Sequence, residues 1–166
     1  ENLMLVDSGK PAFVRFGVLR RAAVRSRAAQ LVSSFDVRTP GLDTPVRNLS
    51  GGNIQKLILA RELSGGPKVL LVAQPTRGID VSAARYVHER LREQASKGSA
   101  VLVISEDLDE VLSISHRVLV MYEGALIGEV DPRTANREAI GLMMAGVVAR
   151  GGAPGGQTSI RGNMSL

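Results

Sequence analysis

Cysteine is absent from the 166 residues, and only two histidines occur. Without cysteine there is no disulfide scaffold, no thiolate metal site and no cysteine nucleophile. His88 and His116 are too few for a histidine-rich metal site. Aromatic residues make up 3% of the chain, which speaks against the stacking platforms that hold single-stranded nucleic acid. No apolar run approaches the roughly 18 residues needed to cross a bilayer. Nor does a basic stretch followed by a short apolar one mark a secretory leader. The chain opens on Glu1 rather than Met, which points to a processed product or a piece of something longer.

What is present is globular in character. Hydrophobic residues make up 44% and charged residues 22%, enough for one ordinary domain with a sizeable core. The net charge of +5 is unevenly spread: residues 1–61 hold ten basic and four acidic side chains, residues 62–166 eleven and twelve. A basic first third allows contact with nucleic acid or anionic lipid, but a solvated helix face is the plainer reading.

The pattern of elements is mixed. Leu19, Ala23, Ala28, Leu31, Val32 and Phe35 follow a 3.6-residue period and predict a helix ending before Pro40-Gly41. Residues 42–48 read as a polar connector. A helix over 54–63 follows, with Ser50 as its N-cap, and Ser64-Gly65-Gly66-Pro67 stops it. Val69–Ala73 and Ala100–Ile104 are short continuous apolar runs, the pattern of strands buried on both faces. Between them, residues 81–97 predict a helix with Ala84, Val87, Leu91 and Ala95 on one face and Gly98 as its C-terminal cap. Asp107 and Glu110 resemble a capping box opening a helix over 108–115. The order strand, helix, strand, helix specifies an α/β fold with parallel strands. Segments 117–122 and 125–130 flank Glu123-Gly124 as a hairpin. A last helix over 134–146 buries Ile140, Met143 and Met144. Beyond it, residues 149–166 predict a disordered tail.

The chemistry concentrates at Leu49-Ser50-Gly51-Gly52-Asn53, with Gln55 and Lys56 behind it. Backbone N–H groups at a helix start lack partners. Glycine lets a ligand approach them closely, and the helix dipole adds positive charge. The combination suits a phosphate, and taken alone equally describes a plain loop and N-cap, since Ser64-Gly65-Gly66 occurs here too. Twenty-five residues past Ser50 stands Pro75-Thr76-Arg77-Gly78-Ile79-Asp80, and twenty-five past Asp80 stands Ser105-Glu106-Asp107-Leu108-Asp109-Glu110. Each directly follows a strand-like run.

These three segments in register resemble the nucleotide-binding domain of ATP-binding cassette (ABC) transporters. Leu49–Asn53 matches the family's signature motif, Pro75–Asp80 the end of Walker B through the D-loop, and Ser105-Glu106 the switch loop. The likeness covers residues 1–146. It is greatest to the second cassette of the double-cassette proteins serving simple-sugar and nucleoside importers. The resemblance implies an incomplete P-loop ATPase fold. Residues 1–65 would be a helical signature subdomain and residues 66–148 the C-terminal part of the RecA-like core.

The departures from the family pattern are equally specific. A Walker A loop, Gly-x-x-x-x-Gly-Lys-Ser/Thr, is missing: Pro11 follows Gly9-Lys10, and Pro67 follows Gly66. In the family that loop lies upstream, so the chain resembles a C-terminal fragment beginning inside the helical subdomain. The Asp-Glu that closes Walker B is Ala73-Gln74 here. Gln74 can orient a water but cannot accept its proton. Glu106 stands where the switch histidine belongs and would repel a phosphate.

The resemblance therefore implies an asymmetric pair. Leu49, Ser50, Gly51, Gly52, Asn53 and Gln55 would close over ATP held by a partner cassette, with Asp80 aligning that site. Gln74 and Glu106 would face a poor catalytic site. Mg²⁺ is expected in the partner site. Implied partners are that cassette, transmembrane permease subunits and, indirectly, a solute-binding protein, with no nucleic acid. The implied location is peripheral, on the cytoplasmic face of the cell membrane. Two other readings stand beside this one: a non-transport ABC protein acting on nucleic acid or ribosomes, and an inactive truncated cassette. Without the Walker A strand, segment 100–104 is expected to present an unpaired apolar edge, leaving the chain marginal, aggregation-prone or partnered.

Overall fold

The computed structural model describes residues 2–7 and 9–147. The expected disordered tail, 149–166, lies outside the described residues. The chain divides into two compact units, one ending at Ile114 and one beginning at Ser115.

The first unit opens with a 3₁₀ turn, Asn2–Met4, and a small antiparallel hairpin of β1 (Val14–Arg15) and β2 (Val18–Leu19). The turn between them places Phe16 and Gly17 at positive φ, 50° and 76°. This hairpin takes Leu19 out of the helix predicted to begin there, and α1 runs over Arg21–Ser34. It buries Val24, Ala28 and Leu31, with Val24 in place of the predicted Ala23. Ala28 and Leu31 join Leu3, Val37, Leu57 and Ala60 in one core cluster. Leu42, Val46 and Leu49, from the polar-looking connector and its end, pack against that cluster.

Helix α2 spans Gly51–Leu63, three residues earlier than its apolar pattern predicts, because both glycines are drawn into its first turn. Then come β3 (Val69–Ala73), α3 (Val81–Ser96), β4 (Ala100–Ile104) and α4 (Leu108–Ile114). Strands β3 and β4 pair in parallel, from Val69 opposite Ala100 to Ala73 opposite Ile104. Helix α3 is the crossover such pairing needs. It buries Ala83, Val87, Leu91 and Gln94. The stripe is thus turned from the predicted one, with Ala83 and Gln94 in place of Ala84 and Ala95. The buried Gln94 amide is satisfied by donating to the Ser99 hydroxyl at 3.0 Å. Gly98, at φ 94°, ends this helix as expected.

The strands depart from the sequence reading. Leu70, with Val72, Val101 and Val103, packs on Leu59, Val87 and Leu91, so one face is covered. The opposite face is bare: Val69 is 71% exposed, Leu71 65%, Leu102 54% and Ile104 51%. Burial on both faces is therefore corrected to burial on one.

Among the described residues no further strand pairs with the far edge of β4. The Ala100 amide donates to the Lys68 carbonyl (2.9 Å) and the Gln74 amide to the Ile104 carbonyl (2.8 Å). Even-numbered residues of β4 thus bond toward β3, and the amides of Val101 and Val103 point to the free edge. In hydrogen exchange on this chain, Leu102 and Ile104 are expected to be protected and Val101 and Val103 to exchange at near-unprotected rates. Uniform protection of all four would show that the edge is covered.

In the second unit, β5 (Val118–Tyr122) and β6 (Ala125–Val130) form the expected antiparallel hairpin. Glu123 and Gly124, at φ 46° and 79°, supply the two positive values of a primed turn. Helix α5 covers Arg137–Met144. It is capped by Asn136, whose side chain accepts from the amides of Glu138 and Ala139. Ile140 is buried as expected, whereas Met144 is exposed. Met143 packs over Gly128 so closely that a Cβ there would lie 2.8 Å from its Sδ.

Candidate functional site

The start of α2 is built by its own sequence. Ser50 holds an extended conformation at the N-cap position, but its hydroxyl does not cap the backbone. Instead Ser50 Oγ accepts from Asn53 Nδ2 at 2.9 Å, while Asn53 Oδ1 accepts from the Arg38 amide at 2.8 Å. Asn53 therefore clamps the helix start to the segment after α1. Because Ser50 Oγ accepts in this bond, its O–H is not used by it and can donate to another acceptor such as a phosphate oxygen. The first rung of the helix is the Ile54 amide on the Ser50 carbonyl, 2.9 Å. The amides of Gly51, Gly52 and Asn53 precede that rung and have no intrahelical acceptor. Ser50 and Gly51 are exposed, and Leu49, Gly52, Asn53 and Gln55 are half-buried.

The glycines answer to a second constraint. A Cβ on Gly52 would lie 2.8 Å from the Ala83 Cβ and 3.7 Å from Asp80 Oδ2. A Cβ on Gly51 would lie 3.5 Å from both the Gly78 carbonyl and the Ile79 side chain. So α2 begins directly against the turn that leads into α3, and Asp80 lies beside Gly52. Asp80 caps α3, accepting from the amides of Ser82 (2.9 Å) and Ala83 (3.0 Å) and from the Ser82 hydroxyl. The hydrogen bonds from the Ser82 hydroxyl and the Ala83 amide hold its carboxyl below the usual range. Behind the site, Lys56 Nζ meets Asp36 at 2.6 Å and lies 4.7 Å over the Tyr86 ring. The Tyr86 hydroxyl donates to the Phe35 carbonyl at 2.9 Å.

Gln74 and Glu106 belong to a second locus. Gln74 follows β3 directly and Glu106 stands two residues past β4. Both therefore sit at the carboxyl ends of the parallel strands, where ligands bind in open α/β sheets. Gln74 occupies the left-handed region at φ 50°, an uncommon conformation for a residue with a side chain. Glu106 is exposed. Asp107 caps α4 as predicted, its Oδ1 accepting from the amides of Asp109 (2.9 Å) and Glu110 (3.1 Å). The other half of the predicted capping box fails: the Glu110 side chain turns inward.

The sequence reading passed over what Glu110 meets there. Its Oε1 accepts from Thr76 Oγ1 at 2.7 Å and lies 2.8 Å from His88 Nε2. Burial would push this carboxyl up, but hydrogen bonds from Ser105, His88 and Thr76 outweigh it and hold the group below its ordinary value of 4.5. A carboxylate carries no proton, so Nε2 is the donor in the histidine contact. The one signal in the sequence was the place of His88, next to Val87 on the apolar stripe of α3.

The residues present fit a phosphate group at α2, where amides and a hydroxyl are presented together. They do not fit a resident divalent cation: Ala73 offers no donor and Gln74 only a neutral amide. Among the described residues no cluster of three or more His, Asp or Glu could hold a metal ion.

No protein-family model matches the chain. It is 42% identical over 146 residues to the guanosine import ATP-binding protein NupO of Bacillus subtilis, covering 88% of this chain and 29% of that protein. It is 44% identical over 135 residues to the ribose import ATP-binding protein RbsA 2 of Rubrobacter xylanophilus, covering 81% and 26%. Among solved structures, it is similar to the dimeric post-hydrolysis state of the ATP-binding cassette MJ0796 bound to ADP and Pi. The TM-score is 0.59 and the identity 22%, over 74% of this chain and 52% of that one. The chain thus spans less than a third of the length of these relatives and about half of the cassette. Across most of its own length it is a homologue of sugar and nucleoside import ATP-binding proteins, and its fold is part of an ABC ATPase cassette.

Proposed function

We propose that this chain supplies the signature surface of an ATP-binding subunit that powers import of simple sugars or nucleosides. The observation that carries the reading is the start of α2, where the exposed Ser50 hydroxyl oxygen is held by Asn53 and the first-turn amides are set on glycines against the α3 turn. The names of the relatives, import proteins for guanosine and ribose, support the transport role. The dimeric MJ0796 cassette supports a paired arrangement.

In this reading, residues 50–53 close over ATP whose other contacts come from a partner cassette, and Asp80 aligns with that same site. The helix dipole and the amides stabilise negative charge there without needing to reorganise. On this chain's own strand-end face, Gln74 orients water without taking a proton, and the Glu106 carboxylate disfavours a γ-phosphate. Mg²⁺ belongs to the partner's residues in this scheme. Closure of the pair drives permease subunits fed by a solute-binding protein, and the subunit sits peripherally on the cytoplasmic face. Among the described residues no helix is long and apolar enough to cross a membrane.

The absence of cysteine offers a direct test. Ser50→Cys places a single thiol of this chain at the proposed contact. With the partner cassette present, ATP is expected to slow alkylation of that thiol about tenfold or more. With this chain alone, ATP is expected to leave the rate unchanged. Equal rates with and without ATP in the assembly remove residues 50–53 from the nucleotide site.

A further inference from the structure

Glu110 is a buried acid on the third residue of α4, and one of its oxygens collects two donors from distant parts of the chain. Thr76 lies in the turn that begins at Gln74 and ends at Asp80. That turn is held by the Arg77 amide on the Gln74 carbonyl (3.2 Å) and the Ile79 amide on the Thr76 carbonyl (3.4 Å). His88 lies two turns along α3 from its capped start, the same start that Gly52 packs against. Glu110 itself belongs to the segment that carries Glu106, with Asp107 between them capping α4. One carboxylate therefore joins the strand-end segment 105–110, the turn 74–80 and the helix that floors the signature residues.

We propose that Glu110 is a positioning residue that fixes both nucleotide-facing loci of this chain in one arrangement, Gln74 with Glu106 and Ser50–Asn53 with Asp80. The inference rests on the transport-ATPase reading above. Burial explains why the connection is stiff: in a low-dielectric setting a carboxylate holding several donors is strongly bound, and deleting it leaves those donors unsatisfied. Thr76 and His88 do not touch each other in the observed contacts. Their coupling runs through Glu110, and removal of either one loosens only its own segment. The carboxylate is buried and engaged by these donors, so its loss acts on geometry.

The test uses the chain assembled with its partner cassette and permease in vesicles. Glu110→Ala and Thr76→Val are expected to lower kcat for ATP hydrolysis about 3- to 30-fold and leave KM for ATP within about twofold. His88→Gln, which keeps a donor, is expected to retain more activity than His88→Ala. Hydrogen exchange supplies a readout independent of turnover. The Arg77 and Ile79 amides are expected to exchange about tenfold faster in Thr76→Val and Glu110→Ala, while Leu102 and Ile104 are unchanged. Should Glu110→Ala fail to fold, Thr76→Val and the His88 pair carry the test. Unchanged kcat and unchanged exchange overturn the proposal, as does a rise in KM with kcat intact. If the Ser50→Cys thiol is still protected by ATP in those cases, the transport reading survives the loss of this one. If that protection is also absent, both fall.

Discussion

Ser50→Arg is expected to cut ATP turnover by the reconstituted assembly at least about 100-fold, the scale of losing oriented donors at developing charge. Ser50 is exposed and extended, with φ −66° and ψ 156°, so arginine fits its backbone without strain. What changes is the approach: a long side chain occupies the space in front of the Gly51 and Gly52 amides. The substitution also removes the hydroxyl that Asn53 holds at 2.9 Å. That internal bond is worth only about 1 kcal/mol, so the fold should persist, and a melting curve close to the parent's would establish this. Ser50→Ala separates the two contributions. It keeps the amides open and deletes the hydroxyl, and a loss of about tenfold is expected from one neutral hydrogen bond. Turnover unchanged in Ser50→Arg would exclude contact between residues 50–53 and the reacting phosphate.

The second large effect concerns stability. Gly52→Ala is expected to destabilise the first unit by about 1–3 kcal/mol, the usual cost of overpacking. The added carbon would lie 2.8 Å from the Ala83 Cβ, too close for either helix to accept unmoved. Because the obstacle is a single methyl group, Ala83→Gly in the same chain should recover most of the loss. The double-mutant cycle would then show coupling of the size seen for residues in contact. Denaturant unfolding measures all four states. A Gly52→Ala chain as stable as its parent would mean that α2 and α3 do not approach as described. The glycine would then answer to the ligand alone.

The two constraints on Gly52 show what could be seen in advance and what could not. The helix start at Gly51 was legible in part because Ser50 is a helix-capping residue type, and residues 49–53 stood out through their resemblance, in register with two strand-following segments, to the ABC pattern. The contact with Ala83 was not legible, since a glycine looks the same whether it admits a phosphate or a neighbouring helix. Period and breakers placed α2, α3, β3 and β4 within a few residues, for helix and strand spacing are local properties. The bare sheet face was misread because five apolar residues in a row say that a strand can be buried on two sides. They do not say where the second cover comes from. Glu110 was misread for a similar reason. An acid three residues past Asp107 satisfies a capping box on paper, and only the arrival of Thr76 and His88 from 34 and 22 residues away turns it inward.

The uncovered side of β3 and β4 carries an energetic consequence. Sheltering one large aliphatic side chain is worth about 1.5–3 kcal/mol, and Val69, Leu71, Leu102 and Ile104 are each more than half exposed. Removing that surface from water is therefore worth on the order of 5 kcal/mol, comparable with the whole stability of a modest domain. Folding of these strands and association with whatever shields them then form a single equilibrium, and the apparent melting temperature should climb with protein concentration or with an added binding surface.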